Sequence, residues 1–154
     1  MPCRERLSKR LMLFFTGVQR DAGSVLHEAR RRMTRSPQAR ATIDGLVALA
    51  GEVRTSLASG RVRRIGGLLN TSWRLKKRMA SSVSNGHLDR LYERAIKAGA
   101  AGGKVAGAGG GGCLLLFVEP RSQARVRVSM AKAGLREVPF AIDPEGSRIV
   151  HYSV

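Results

Sequence analysis

Apolar positions follow two spacings along this chain, and their order predicts a strand, a series of helices and then more strands. The continuous apolar run Leu11–Thr16 ends at Gly17 and is typical of a buried strand. Apolar residues at helical spacing then predict two long helices, a third ending before Ser81 and a shorter fourth. The segments are Asp21–Met33, Gln38–Ala58, Val62–Trp73 and Leu88–Ile96. Asn85 suits the N-cap of the fourth helix and Gly99 its end.

The C-terminal third returns to strands. Cys113–Val118 has the composition of a packed strand, and Pro120 opens a helix that runs to about Ala133. Segments Leu135–Ile142 and Ser147–Val154 flank Asp-Pro-Glu-Gly, a turn sequence, and so predict a hairpin. We therefore expect one α+β domain spanning residues 1–154, with a mostly antiparallel sheet of about four strands and helices packed on one side.

A glycine-rich loop precedes the strand at Cys113 and is the strongest candidate for a binding site. Glycines 107 and 109–112 allow a ligand to approach main-chain N–H groups, and Lys104 adds positive charge, so the loop predicts phosphate binding. Three of these glycines match G-x-G-x-x-G, but a dinucleotide fingerprint needs the loop to follow a strand and open a helix. A P-loop is excluded because Val105, and not Ser or Thr, follows Lys104.

The balance of charge indicates an acidic partner. The chain has 28 Lys and Arg residues against 11 Asp and Glu, a formal net charge of +17. A phosphorylated small molecule, a nucleic acid and an acidic protein surface all satisfy this charge, which by itself does not choose among them. Aromatic residues make up only 5% of the chain and are scattered, which argues against base stacking.

Other chemistry is sparse. Two cysteines and three separated histidines predict no disulfide framework, no metal site and no catalytic histidine. Trp73, on an apolar helical face, is expected in the core. No apolar run approaches the ~20 residues of a membrane span, so we expect a soluble cytoplasmic protein without membrane contacts.

Several stretches resemble the small-molecule kinases named for galactokinase, homoserine kinase, mevalonate kinase and phosphomevalonate kinase, the GHMP kinases. Lys104–Cys113, K-V-A-G-A-G-G-G-G-C, is similar to the third motif of that family. Further stretches, spanning almost the whole chain, look like its heptose 7-phosphate kinase branch. They are Leu68–Lys77, Val83–Asn85, Leu88–Tyr92, Arg136–Phe140 and Glu145–Ile149.

The resemblance implies a fold, a reaction and a site. The fold is the ferredoxin-like C-terminal domain, and the reaction of the complete enzyme uses ATP and Mg to phosphorylate the anomeric hydroxyl of D-glycero-D-manno-heptose 7-phosphate. The loop residues Lys104, Gly107, Ala108, Gly109, Gly110, Gly111 and Gly112 are expected at the nucleotide and transferred phosphate. Lys76, Lys77 and Arg78 are expected at the sugar phosphate, and a solvated helix face explains them equally well.

The resemblance covers only the C-terminal half of such a kinase. The N-terminal lobe with its ATP-binding loop and catalytic residues is expected to be absent, so no catalytic residue is assigned. The partners expected are a phosphorylated sugar and the other lobe, in cis or in trans. The alternative is a non-catalytic basic module that binds a sugar phosphate or, without sequence specificity, nucleic acid. Oligomeric state, activity of the chain alone and the identity of the sugar stay open.

Overall fold

The computed structural model describes residues 2–19 and 21–146 and contains helices packed on a four-stranded sheet. The order of elements places one strand near the start, the long helices next and the remaining strands after them. The elements are α1 (Cys3–Ser8), β1 (Leu11–Phe15), α2 (Ala22–Arg35), α3 (Pro37–Ala58), α4 (Arg64–Met79), a 3₁₀ turn (Ser81–Val83), α5 (Gly86–Ala98), β2 (Ala100–Val105), β3 (Cys113–Val118), α6 (Pro120–Lys132) and β4 (Arg136–Glu137). The predicted α+β class is confirmed.

The sheet has the strand order β2-β3-β1-β4, and every neighbouring pair is antiparallel. Its central pair is β1 with β3, in a register that sets Leu11 opposite Phe117 and Phe15 opposite Cys113. Strand β2 covers one edge, where the register shifts between Ala100 and Gly102. The two apolar runs recognised in the sequence therefore form the centre of the sheet.

Local signals in the sequence fix several helix ends. The Asp21 carboxylate accepts from the amides of Gly23 and Ser24, and so caps α2. Asn85 caps α5 through a 3.0 Å bond from the amide of Leu88. Gly99 ends α5 with a φ of +112°, as predicted.

The core forms two clusters. The larger cluster includes Leu114, Leu116 and Val118 of β3 together with α5 and α6, and it contains Trp73, which is only 1% exposed. Phe117, between Leu116 and Val118 in β3, is also buried but belongs to the smaller cluster, with residues of α1, α3 and the start of α4. Side chains alternate between the faces of a strand, so this smaller cluster lies on the other side of the sheet.

Strand β2 was not predicted, because its glycines and alanines carry little strand signal. Gly102 is required by the close crossing of α4, and Gly103 by the neighbouring strand β3. A Cβ at Gly102 would lie 1.9 Å from the carbonyl oxygen of Gly66 in α4, and one at Gly103 would lie 2.4 Å from that of Leu115. The loop is thus a hairpin connection between β2 and β3.

The predicted strand Leu135–Ile142 was too long, since only Arg136–Glu137 forms β4. This short strand pairs with β1, and the amide of Val138 extends the pairing with a 2.8 Å bond to Leu13. Pro139 has no N–H to continue the ladder. The other half of the predicted hairpin, Ser147–Val154, lies outside the described residues.

The structure adds one helix, α1, that was not predicted. Across residues 2–19 and 21–146, none of the helices has both the length and the apolar character needed to cross a bilayer.

Candidate functional site

The loop of residues 106–112 joins β2 to β3 at one end of the sheet. The amide of Ala106 donates to the carbonyl of Cys113 at 2.8 Å and closes the base of the hairpin. Within the loop, φ is +71° at Gly107, +107° at Gly109 and +85° at Gly112. A side chain would be strained at each of these positions, so the backbone path itself requires glycine.

One side of the loop rests on the 3₁₀ turn at Val83. The amide of Gly110 donates to the Val83 carbonyl at 2.7 Å, and a Cβ added at Gly109 would lie 2.7 Å from that same oxygen. Gly109 is therefore needed for packing inside the chain. The N–H of Gly110 is already used within the fold and is not free to bind a phosphate.

The other side of the loop is held by the segment after β1, which sequence reasoning had not assigned to the site. Both the amide and the hydroxyl of Thr16 donate to the Gly112 carbonyl, at 2.9 and 2.8 Å. The amide of Gly112 donates to Val18 at 2.7 Å, and a Cβ at Gly111 would meet the Val18 carbonyl. The signal in the sequence was Thr16 itself, a polar residue at the end of an apolar strand.

Four loop amides remain available to a ligand. Within residues 2–19 and 21–146, the N–H groups of Gly107, Ala108, Gly109 and Gly111 have no hydrogen-bond acceptor. Gly109 and Gly111 are buried, where an unpaired amide costs free energy unless a ligand or water accepts from it. Clustered backbone N–H groups of this kind form concave sites for anions.

Lys76 is the cation that the fold holds against this loop. Its Nζ donates to the carbonyl oxygen of Gly107, although the two residues belong to α4 and to the loop. Burial, together with the positive charge of Lys104 on β2, lowers the pKa of Lys76 to about 8. An anion between the two lysines would favour the charged form of Lys76.

Lys77 and Arg78 do not join this cluster. Lys77 is ion-paired with Asp89, with 3.0 Å between Nζ and Oδ1, and Ser84 donates to the same carboxylate oxygen. Arg78 follows Lys76 by two residues and lines a separate cavity of about 430 Å³ beside α2 and α3. Of the three cations predicted to meet the sugar phosphate, the structure brings Lys76 alone to the loop.

A carboxylate on α2 fixes the turn that supports the loop. Glu28 accepts from the amides of Ser81 and Ser82, at 2.8 and 3.2 Å, and from both of their hydroxyls. The Ser82 hydroxyl, followed by the Ser81 amide, lowers the pKa of Glu28 to about 2. These bonds tie α2 to the residues immediately before Val83, and so to the loop.

The arrangement can bind and orient a phosphoryl group, because amide donors and cations are the groups that stabilise its oxygens. The described part of the chain contains no group of three or more His, Cys, Asp or Glu side chains placed to hold a metal ion. The groups that the site offers are backbone amides and lysine side chains.

Comparison with known proteins assigns the chain to a kinase family. The model of the GHMP kinases C terminal matches residues 53–135, which contain α4, the loop and α6. D-glycero-alpha-D-manno-heptose 7-phosphate kinase of Campylobacter jejuni is 29% identical over 140 residues, 91% of this chain. The bifunctional fucokinase/GDP-fucose pyrophosphorylase of Arabidopsis thaliana is 32% identical over 120 residues, 77% of this chain.

A solved structure supports the fold. The crystal structure of L. major mevalonate kinase in complex with R-mevalonate superposes on 79% of the chain with a TM-score of 0.73 and 21% identity. The chain spans only part of the proteins it matches. It covers 41% of the heptose 7-phosphate kinase, 11% of the bifunctional fucokinase and 37% of the mevalonate kinase chain.

Proposed function

The chain belongs to the GHMP kinases through their C-terminal domain, and on that premise we propose that it is the sugar-phosphate half of an ATP-dependent sugar kinase. The observation that carries the proposal is the set of four unpaired loop amides beside Lys76 and Lys104. We propose D-glycero-D-manno-heptose 7-phosphate as the sugar, which is supported by the relative that matches 91% of this chain.

The proposed reaction moves the γ-phosphoryl group of ATP to the anomeric hydroxyl of the sugar. The bond from phosphorus to the anomeric oxygen forms, the bond from the γ-phosphorus to the bridging oxygen breaks, and ADP and the hydroxyl proton leave. The nucleotide lobe and the residues that bind magnesium belong to the other half of the enzyme, in cis or in trans. The chain alone is expected to bind the sugar phosphate without turning over ATP.

Within this reaction the loop has a positioning and an electrostatic role. The amides of Gly107, Ala108, Gly109 and Gly111 would donate hydrogen bonds to oxygens of the transferred phosphoryl group, and Lys76, held beside the loop, would bind the phosphate of the sugar. Lys77 would reach the sugar's own phosphate if it exchanged Asp89 for the ligand. Such fixed donors lower the barrier because they need no reorganisation as the charge shifts.

The test measures the melting temperature of the purified chain while heptose 7-phosphate is titrated at moderate salt. A ligand that binds only the folded state adds about 2.7 kcal/mol of stability at a hundred times its Kd. For a chain of this size that is a rise of roughly 5 to 10 °C. Lys76→Met should abolish most of the rise, whereas Arg54→Met, which removes an exposed cation on α3, should leave it unchanged.

A control ligand and a reconstitution experiment distinguish specific binding of the sugar phosphate from charge attraction. Unphosphorylated heptose should give no rise, and addition of a separately expressed N-terminal lobe with ATP should produce ADP only when the wild-type chain is present. A rise that Arg54→Met lowers as much as Lys76→Met would show charge attraction without a site. No rise and no reconstituted ADP formation would contradict the proposal.

A further inference from the structure

A wide groove lies between α5 and α6, away from the glycine loop. It has a volume of about 900 Å³ and is lined by residues of these two helices. Five cations line it, against one carboxylate, that of Glu93. The cations are Arg90, Arg94, Lys97, Arg125 and Lys132.

Two of these cations hold the groove in shape. Arg125 donates through Nε to the carbonyl of Ala98 at 2.7 Å and so ties α6 to the C-terminal end of α5. Arg94 donates through Nε to the hydroxyl of Ser129 at 3.3 Å and joins the same two helices further along. The groove is thus a feature of a braced helix pair.

The other three cations are exposed. Arg90, Lys97 and Lys132 have no hydrogen bond or ion pair to any residue within 2–19 and 21–146. Their charges are therefore not neutralised by the described parts of this chain. An acidic ligand laid along the groove would gain attraction at both rims, because Lys97 and Lys132 stand on opposite helices.

Between the rims the groove is apolar. Val128 is 56% exposed, and Ala98 and Ala124 line the groove beside it. None of the described residues that line it is aromatic, so these residues offer no surface on which a nucleic-acid base could stack. An apolar strip flanked by cations matches an amphipathic helix with one apolar face and acidic flanks, the helix-in-groove mode of recognition.

We propose that this groove is a docking site for an acidic amphipathic helix of a partner protein. The partner helix presents a small apolar side chain to Val128 and carboxylates spaced three or four residues apart to the two rims. Such a helix, about 10 to 12 Å across with its side chains, packs as a third helix against α5 and α6. The proposal concerns a surface separate from the phosphate loop and does not depend on the reaction of the kinase.

The test uses a labelled 18-residue helical peptide with leucines on one face and glutamates on both flanks, followed by fluorescence anisotropy on the full chain. Lys97→Glu with Lys132→Glu should weaken binding at least about tenfold, since exposed ion pairs become like-charge contacts. Val128→Asp should also weaken it. Arg30→Glu with Arg31→Glu on α2 changes the net charge equally and should have little effect.

Peptide and oligonucleotide controls decide the alternatives. A scrambled peptide of the same composition, which lacks the apolar face, should bind much more weakly. Equal weakening by the groove and α2 variants, or equal binding of the scrambled peptide, would overturn the proposal. Tighter binding of a single-stranded or duplex oligonucleotide that the groove variants abolish would assign the groove to nucleic acid. Should the charge reversals disturb folding, Lys97→Gln with Lys132→Gln makes the same comparison.

Discussion

The affinity of the glycine loop for a sugar phosphate should depend on pH through a single lysine. The pKa of Lys76 is about 8, because burial and the charge of Lys104 disfavour its protonated form. A bound phosphate would favour that form and raise the pKa. Binding near pH 8 should therefore take up a proton at Lys76.

The size of the effect follows from the titration. With a pKa of about 8, roughly nine-tenths of Lys76 is charged at pH 7 and roughly one-tenth at pH 9. If the phosphate binds the charged form, its affinity should fall about tenfold between these two values, or about 1.4 kcal/mol. The phosphate itself does not confound the measurement, because its second pKa is near 6 and it is a dianion throughout.

Calorimetry of heptose 7-phosphate binding at pH 7, 8 and 9 and at constant ionic strength measures this slope directly. Repeating the pH 8 titration in two buffers of different ionisation enthalpy gives the number of protons taken up. Lys76→Met should bind more weakly and lose most of the pH dependence. A flat profile in the wild type, or the same slope in Lys76→Met, would refute the reasoning.

Three further predictions concern stability. Unfolded Lys76 binds more protons than the folded form between pH 8 and 10.5, so the free energy of unfolding should rise across this window more in the wild type than in Lys76→Met, as urea titrations at each pH would show. Gly102→Ala should lower the free energy of unfolding by more than about 2 kcal/mol, because its Cβ would meet the α4 backbone. Gly51→Ala, which has open space around it in α3, should raise that free energy by up to about 1 kcal/mol. A similar chemical-denaturation midpoint for the two variants would contradict this. The pKa of Glu28 is lowered to about 2, so its contribution to the free energy of unfolding is present above pH 4.5 and is lost as the pH falls toward 2. Glu28→Gln should lower the stability at neutral pH by about 1 kcal/mol and reduce the loss of stability in acid. An unchanged stability in this variant would mean that the bonds from Ser82 contribute nothing.

The fold could be predicted to the extent that each element carries its own signal. Strand β1 was evident from an uninterrupted apolar run, and α5 from its apolar spacing with Asn85 and Gly99 at its ends. Strand β2 has no such signal, since its glycines are required by close contacts with α4 at Gly102 and with β3 at Gly103. β4 was overestimated because its apolar pattern continues past Pro139, where backbone pairing cannot.

The candidate site divides in the same way. The loop and its lysines could be identified as phosphate-binding candidates from residue type and order, because an accessible backbone at glycine and a positive charge at lysine are properties of the residues themselves. Which loop amides are free could not be predicted, since it depends on Val18 and Val83, carbonyls distant in sequence from the loop. The sequence also could not show that Lys76, Lys77 and Arg78, which follow one another on α4, have different surroundings.

The sequence by itself determined the α+β class, most helix boundaries, the excess of positive charge and the position of the glycine loop, because these follow from local periodicity and residue chemistry. Only the tertiary structure decided that Lys76 lies against Gly107, that Lys77 is neutralised by Asp89 and that α5 and α6 form a cationic groove. The reason is physical. Neighbours on a helix point in different directions, and the elements packed around them decide which charge is buried, paired or left for a ligand.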